Sequence, residues 1–545
     1  MLRRALPALV LASSLALIAT ACAPTAEQAG PSAEPQDGGT LVYATGDAEP
    51  TCLDPHVGGN YPQALISTQY LEPLVGRDVD GSITPWLAED WKVSPDGLTW
   101  DFTLKSDVEF TDGTPLDATA VKVNIEHLQE PETASSTGYL AVSKVAEVEV
   151  VDDTHARFHL SEPDSALLES LSMQWTAIQS PAGIARGMEE NCAAPIGTGP
   201  FIVEEWVPQQ QITLVRNDDY ATPGPQTEND GPAHIDELVW RFIPDAATRQ
   251  AALASGEVHV IDNPQPDAIV AAEQGDEITH IDAPRPGSVN RIELNAGQAP
   301  FDDERVREAF IRAADPNPGI ESLYLGTVTR SYSPLGSTEP MGISDESLFT
   351  TDPEEANALL DEAGWTEKDQ DGIRMKDGKR LTVRFPVSTN QSVAAEQSLF
   401  EQIQANVAEV GFDVQLSPVD LSAWYEALGA NEYEAVSAPY TRVGAEVLRV
   451  LYHSDAITPA PSGYFANHAQ LSDPELDALL DQASATQEEA ARADLYAQAQ
   501  QRVLESFTVL PLYDQQNHFL TRGVTGVTTL GTVATPTFVD ARIAG

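Results

Sequence analysis

One stretch constrains this chain more than any other: Trp91 to Leu128, WKVSPDGLTWDFTLKSDVEFTDGTPLDATAVKVNIEHL. Leu98, Trp100, Phe102 and Leu104 alternate with Thr99, Asp101, Thr103 and Lys105, the period-two pattern of a strand with one buried face. Pro95-Asp96-Gly97 supplies the turn before it, since Pro presets φ and Gly accepts a positive one. Farther on, the Asp112-Gly113 turn leads to Asp117, whose carboxylate can accept the first free amides of a helix. Ala118, Val121, Ile125 and Leu128 then recur at helical spacing. The pattern demands an amphipathic helix and a half-buried sheet, a pairing open to any protein that layers helix on sheet.

The same residues go further. The segment W-x-V-S-x-D-G-x-T-W-x-F-x-L-K, followed by F-x-D-G-x-P-L-x-A-x-x-V, resembles the signature of the family 5 extracytoplasmic solute-binding proteins, the peptide, opine and nickel binders that feed ABC transporters. Leu53-Asp54-Pro55, the block PIGTGPFIVEEWVPQQQITLVRNDDY from Pro195 to Tyr220, and Arg249, Ala252, Leu253, Gly256, Glu257 and Asp262 fit the same pattern, so the resemblance covers Gly39 to Val527. It implies a two-lobed α/β fold of the periplasmic-binding-protein kind, with an additional inserted subdomain. Lobe I is expected from residues 36–60, 191–283 and 507–545, the inserted subdomain from 61–190, and lobe II from 284–506. At 545 residues the chain exceeds what one core serves, which agrees with several lobes.

Local patterns fill in the lobes. Gly39 to Ala44 reads as a strand, and Val145–Val151 with Thr154–Leu160 as a hairpin around Asp152-Asp153. Ile235–Ile243, Asp245–Ser255 and Val258–Ile261 form a strand, helix, Gly stop and strand succession. After the Pro-rich step Ala283–Gly287, where the chain is expected to cross between lobes, a second α/β unit runs through Leu381–Ser388, Ala394–Val410 and Phe412–Leu416, and Glu432–Ser437 is expected to complete a parallel-sheet lobe. Val509–Tyr513 reads as the return to lobe I.

The amino terminus carries Arg3 and Arg4, a short apolar run from Ala5 to Ala21, and then Cys22, the shape of a secretory signal (residues 1–22) that is too short to span a membrane. Ala19-Thr20-Ala21-Cys22 resembles a bacterial lipobox, with Ala19 where Leu is usual, and implies lipid attachment at Cys22 and an extracytoplasmic protein held to the outer face of the cell membrane by that lipid alone. Residues 23–35 then serve as a flexible tether. The net charge of −54 argues against nucleic acid as a partner and against docking on anionic lipid through the protein surface. Cys52 and Cys192, which flank the junction of lobe I and its inserted subdomain, are candidates for one disulfide.

Catalytic constellations are missing from the sequence: it has no G-x-S-x-G, S-x-x-K, H-E-x-x-H or C-x-x-C, so the reading is a binder rather than an enzyme, with an exported hydrolase the remote alternative. Neither cofactor nor metal is expected. His155 and His159 fall in the outward phase of their strand, Gly197-Thr198-Gly199 leads into a strand rather than a helix, and the calcium-like run from Glu367 through Asp369, Asp371 and Gly372 has Gly378 where a bidentate Glu is required. The family resemblance implies a small-molecule or peptide ligand, permease subunits of an ABC transporter as partners, and a monomer. In peptide-binding members a Tyr-Asp pair is followed by an aromatic residue and an acid that holds the peptide amino terminus. The corresponding segment here is Tyr433–Leu448, where Tyr440 matches the aromatic but Arg442 and Val443 stand at the acid's place. Tyr440, Thr441, Arg442 and Trp424 are the candidate cleft residues; Arg442 is expected either to meet an anionic group or to pair with surface acids. A peptide or peptide-like solute is the expected ligand. The alternatives are an opine-like, sugar-derived or metal-chelate solute, or a lipoprotein that senses without transporting.

Overall fold

The computed structural model describes residues 35–78, 81–389 and 391–544. Cys22 and residues 23–34 of the tether lie outside the described residues. Among the described residues no helix is long and apolar enough to cross a membrane.

The first lobe is built on a seven-stranded sheet in the order 279–284, 516–521, 260–262, 40–45, 237–242, 211–216, 201–207. Thr40–Thr45 is parallel to both its neighbours, Glu237–Phe242 and Val260–Asp262, and the other pairings are antiparallel. The parallel step requires a crossover, and helix Ala246–Ser255 supplies it: Asp245 accepts the Thr248 amide at 2.8 Å to start the helix, and Gly256, at φ +77°, stops it. Leu41, Tyr43, Ile212, Leu214 and Leu238 are wholly buried in the core under this sheet.

The signature stretch forms its own layer. Ala88–Val93, Thr99–Leu104, His155–Leu160 and Val145–Asp152 make a four-stranded antiparallel sheet, in that order. Trp100, Phe102 and Leu104 point inward beside Ala156, Phe158 and Leu160, and helix Ala118–Gln129 covers them with Val121, Ile125 and Leu128. Asp117 accepts the Ala120 amide at 2.8 Å, as the sequence pattern requires. The Pro195–Tyr220 block returns the chain to the large sheet by a close approach. A Cβ on Gly197 would lie 2.0 Å from the Tyr70 carbonyl oxygen, so only glycine fits there. Thr198 and Tyr220 both donate to the buried Glu72, as do Trp86 and Thr222.

The second lobe departs from the sequence reading in two respects. Its strands are mixed rather than parallel. Thr382–Ser388 and Asp413–Val419 pair in parallel, but Asn290–Leu294 lies antiparallel between Ala435–Ser437 and Val509–Tyr513. In addition, Val509–Tyr513 belongs here, not to lobe I. All five of its residues are buried, and a strand without a wet face needs a partner strand and covering layers, which Asn290–Leu294 and the second-lobe core provide. The return to the first lobe therefore comes at Asp514–Gln515, after which Gln516–Thr521 pairs with Thr279–Pro284. The two crossing segments stay in contact, with the Arg285 amide donating to the Gln515 carbonyl at 2.9 Å.

Buried charge in this lobe is answered locally. Arg291 and Glu293, both wholly buried, pair at 2.8 Å, and His468 Nδ1 lies 3.1 Å from the other carboxylate oxygen of Glu293. Behind the cleft the inserted subdomain meets the second lobe through the Ser165 amide on the Ser484 carbonyl at 2.8 Å, Lys144 on Ser484 Oγ at 2.6 Å and Arg77 on the Thr338 carbonyl at 3.1 Å.

Candidate functional site

Between the lobes runs a cleft in three communicating compartments. The main one, about 490 Å³, falls within the usual range for small-molecule pockets. It leads past Tyr61, Arg285 and Pro439 into a narrow waist of about 70 Å³, and beyond that into an outer compartment of about 390 Å³ walled by Tyr425, Tyr464 and Phe465.

Arg285 is the pivot. It sits between Pro284 and Pro286 on the crossing segment, its guanidinium carbon 3.7 Å from the centroid of the Tyr61 ring, a cation–π stack. Nε and Nη2 donate to Thr441 Oγ1 at 3.1 and 2.5 Å, which leaves Nη1 without a hydrogen bond among the described residues. Tyr61 is held in turn at the start of helix Tyr61–Ser67, which Asn60 and Gln63 cap reciprocally, and its hydroxyl donates to the Val533 carbonyl and accepts from Asn517 Nδ2.

Opposite charge lines the first-lobe wall. Asp262 is saturated, accepting from Tyr43, Thr45 and the Gly46 amide, with Arg249 beside it at 3.7 Å. Among the described residues the carboxylate of Asp47 receives only Asn263 Nδ2, at 3.1 Å. Burial, and then the charge of Asp262, push the Asp47 carboxyl up to about 7, while the charges of Arg285 and Arg249 pull against them. The cleft thus offers an uncommitted guanidinium N–H and a weakly satisfied carboxylate within electrostatic reach of each other.

Of the residues singled out from sequence, Tyr440 and Thr441 line the waist, and Thr441 anchors Arg285. Arg442 is buried and turned away from the main compartment, with Nη2 on Ser170 Oγ at 2.9 Å. Trp424 packs into a core cluster with Leu428, Tyr433 and Val436, and its neighbour Tyr425 presents a ring to the cleft instead. Sequence reasoning missed Arg285, Tyr61, Asp47, Tyr425 and Tyr464. The Pro-Arg-Pro setting of Arg285 at the expected crossing was the one available signal.

Cys52 and Cys192 are disulfide-bonded with Cα atoms 4.4 Å apart. Next to them Asp54, His56 and His127 bring potential metal-ligating atoms within 4.8 Å of one another. The carboxylate is already full: Oδ1 accepts from the His56 amide and Gln179, and Oδ2 meets His127 Nε2 and Asn191. His56 Nε2 is spent on the Ala177 carbonyl, and burial depresses the His56 imidazole to about 4. This cluster fastens the disulfide region to the inserted subdomain. His155 and His159 pair with Asp152 and Glu149 on the outer face of their sheet. Asp369 caps its own turn through the Asp371 and Ile373 amides and pairs with Arg380.

A family model described as bacterial extracellular solute-binding proteins, family 5, matches residues 82–456. The chain belongs to that family. Among its curated relatives, this solute-binding protein is 28% identical over 471 residues to the nickel-binding periplasmic protein of Escherichia coli K12, covering 84% of this chain and 86% of that one. It is 27% identical over 475 residues to the glutathione-binding protein GsiB of the same strain, covering 85% and 86%. Among solved structures, the periplasmic binding protein DppA of Helicobacter pylori in complex with the peptide STSA superposes with a TM-score of 0.81 at 22% identity, over 94% of this chain and 99% of that one, which shows the fold. The agropinic-acid complex of AgaA from A. tumefaciens R10 gives 0.78 at 25% identity, over 93% and 99%. The two-lobed binding-protein architecture is thereby established.

Proposed function

We propose that this family 5 protein captures a zwitterionic solute, a peptide or peptide-like molecule, in the interlobe cleft and delivers it to an ABC importer, anchored to the outer face of the membrane by lipid at Cys22. The observation that carries the ligand class is Arg285, stacked on Tyr61 with Nη1 uncommitted, in a cleft whose other wall holds Asp47. A solute carboxylate takes the guanidinium and a solute ammonium takes Asp47, each charge answering one that burial makes costly to leave alone. The relatives named for glutathione and for a bound tetrapeptide support the peptide-like reading. The opine-like reading rests on the agropinic-acid complex and on Asn60, Ser136, Thr137 and Gln391 around the waist, hydrogen-bonding groups suited to a sugar-derived chain.

Native mass spectrometry of the protein as purified identifies any co-bound solute, and calorimetric titration with dipeptides then tests the contacts. Arg285→Ala and Asp47→Asn are each expected to weaken binding about 10- to 100-fold, the effect of losing a charged hydrogen-bond partner. Undiminished affinity in both variants would place the solute elsewhere.

A further inference from the structure

Behind the aromatic wall of the outer compartment lies a smaller chamber of about 110 Å³, which reaches the surface past the exposed Ser143, Asp455 and Thr458. Tyr464 and Phe465 line both spaces, so their rings are the partition between solute cleft and chamber. On the far side stands Arg442, 3% exposed. A guanidinium carries five N–H donors, and the hydrogen bonding of Arg442 is confined to Nη2 on Ser170 Oγ at 2.9 Å; Nε and Nη1 are buried with no partner among the described residues.

The other charges facing the chamber are engaged, apart from the exposed Asp455, which lies 3.7 Å from His453 Nδ1. Glu446 accepts from Ser484 Oγ at 3.0 Å and Tyr496 OH at 2.7 Å and lies 3.8 Å from Lys144, which also reaches Glu162; Arg449 pairs with Asp481. Asp164 caps the Ala166 amide, and burial, then Glu446, disfavour its charged form. Arg442 is thus the lining cation that makes no ion pair among the described residues. The space before it is large enough for a carboxylate or phosphate group, or for a few waters.

We propose that this chamber is an anion subsite of the solute cleft: the carboxylate or phosphate of a solute side group passes between Tyr464 and Phe465 and is held by the free N–H groups of Arg442. This rests on the reading that the cleft binds a peptide-like solute, and it adds selection for an acidic side group.

The probes are Ala-Glu, Ala-phosphoserine and Ala-Gln, titrated calorimetrically into wild type, Arg442→Gln and Arg442→Lys. In wild type the two anionic dipeptides bind about 10- to 100-fold more tightly than Ala-Gln, and whichever of them gains more names the preferred anion. Arg442→Gln erases the gap and Arg442→Lys keeps part of it. Equal affinities in wild type, or the same gap in Arg442→Gln, overturn the subsite. If no dipeptide binds wild type, the peptide-like reading fails separately, and inorganic phosphate decides the subsite. A rise in unfolding midpoint on adding about 20 mM phosphate at fixed ionic strength, present in wild type and absent in Arg442→Gln, supports it. No rise, or equal rises, overturns it.

Discussion

Substitution of Glu293 by Gln removes the anion from the best-enclosed ion pair in the second lobe. Glu293 Oε1 accepts Nε and Nη2 of Arg291 at 3.1 and 2.8 Å, and its other oxygen meets His468 at 3.1 Å. Without that charge, Arg291 keeps Ser288 Oγ at 2.6 Å and the Val289 carbonyl at 3.3 Å, neutral acceptors for a cation with no access to water. Two charge-assisted hydrogen bonds are weakened at about 1.5–3 kcal/mol each, and breaking one side of a buried pair costs about 3–5 kcal/mol. The expected loss is therefore about 3–5 kcal/mol at pH 7. Its pH dependence has a fixed sign. Burial alone would raise the Glu293 carboxyl, but the charge of Arg291 and the bond to His468 outweigh it and hold the group below its ordinary range. The stabilisation is complete above the unfolded carboxylate value, about 4.3, and is lost as pH falls through the lower folded value. Urea unfolding followed by tryptophan fluorescence should show the full gap between wild type and variant at pH 7 and a narrowing gap below pH of about 4. The double change Arg291→Met with Glu293→Leu should recover most of the loss, since an apolar replacement leaves no charge stranded. A gap under about 0.5 kcal/mol at pH 7, or one that widens on acidification, would refute the reasoning.

The Cys52→Ser, Cys192→Ser variant should lose about 5 kcal/mol in the chain-entropy model, because the bond joins residues 140 positions apart; equilibrium denaturation under oxidising and reducing conditions checks it, and equal midpoints would count against it. Affinity for a cationic amino group should rise as pH climbs through about 7, where Asp47, held up by burial and the charge of Asp262, ionises, and Asp47→Asn should flatten that profile in calorimetric titrations. Cys22→Ala should move the protein from the membrane to the soluble fraction on detergent partition, and unchanged partition would remove the lipid anchor from the proposal.

The two-layer unit of the signature stretch was legible because its forces are local: alternation fixed which side of Thr99–Leu104 faces inward, and Asp117 marked where the helix begins. The second-lobe sheet was less so. Val509–Tyr513 is apolar at nearly every position, and such a run says that both faces are covered without saying by which lobe. The site was the least legible part. Tyr440 and Thr441, singled out through the resemblance, line the waist, but Trp424 and Tyr425 are adjacent aromatics of which one fills the core and the other lines the cleft, a choice set by the rotation of helix Leu421–Gly429 against its sheet. Arg285 and Asp47 owe their importance to neighbours more than 150 residues away in sequence, Thr441 for the one and Asp262 for the other.

The paired crossing segments also limit how this molecule can move. Because the Arg285 amide bonds the Gln515 carbonyl and the strands on both sides of the crossing are laddered together, an opening of the cleft that released the Ser165, Lys144 and Arg77 contacts would swing like a door on a single pin, whereas twisting or sliding would have to break that ladder. One angle then describes the motion, and one distance reports it. If the cleft closes on the proposed solute, a donor dye on the exposed Glu204 and an acceptor on the exposed Glu354 would turn the protein into an optical gauge of solute concentration.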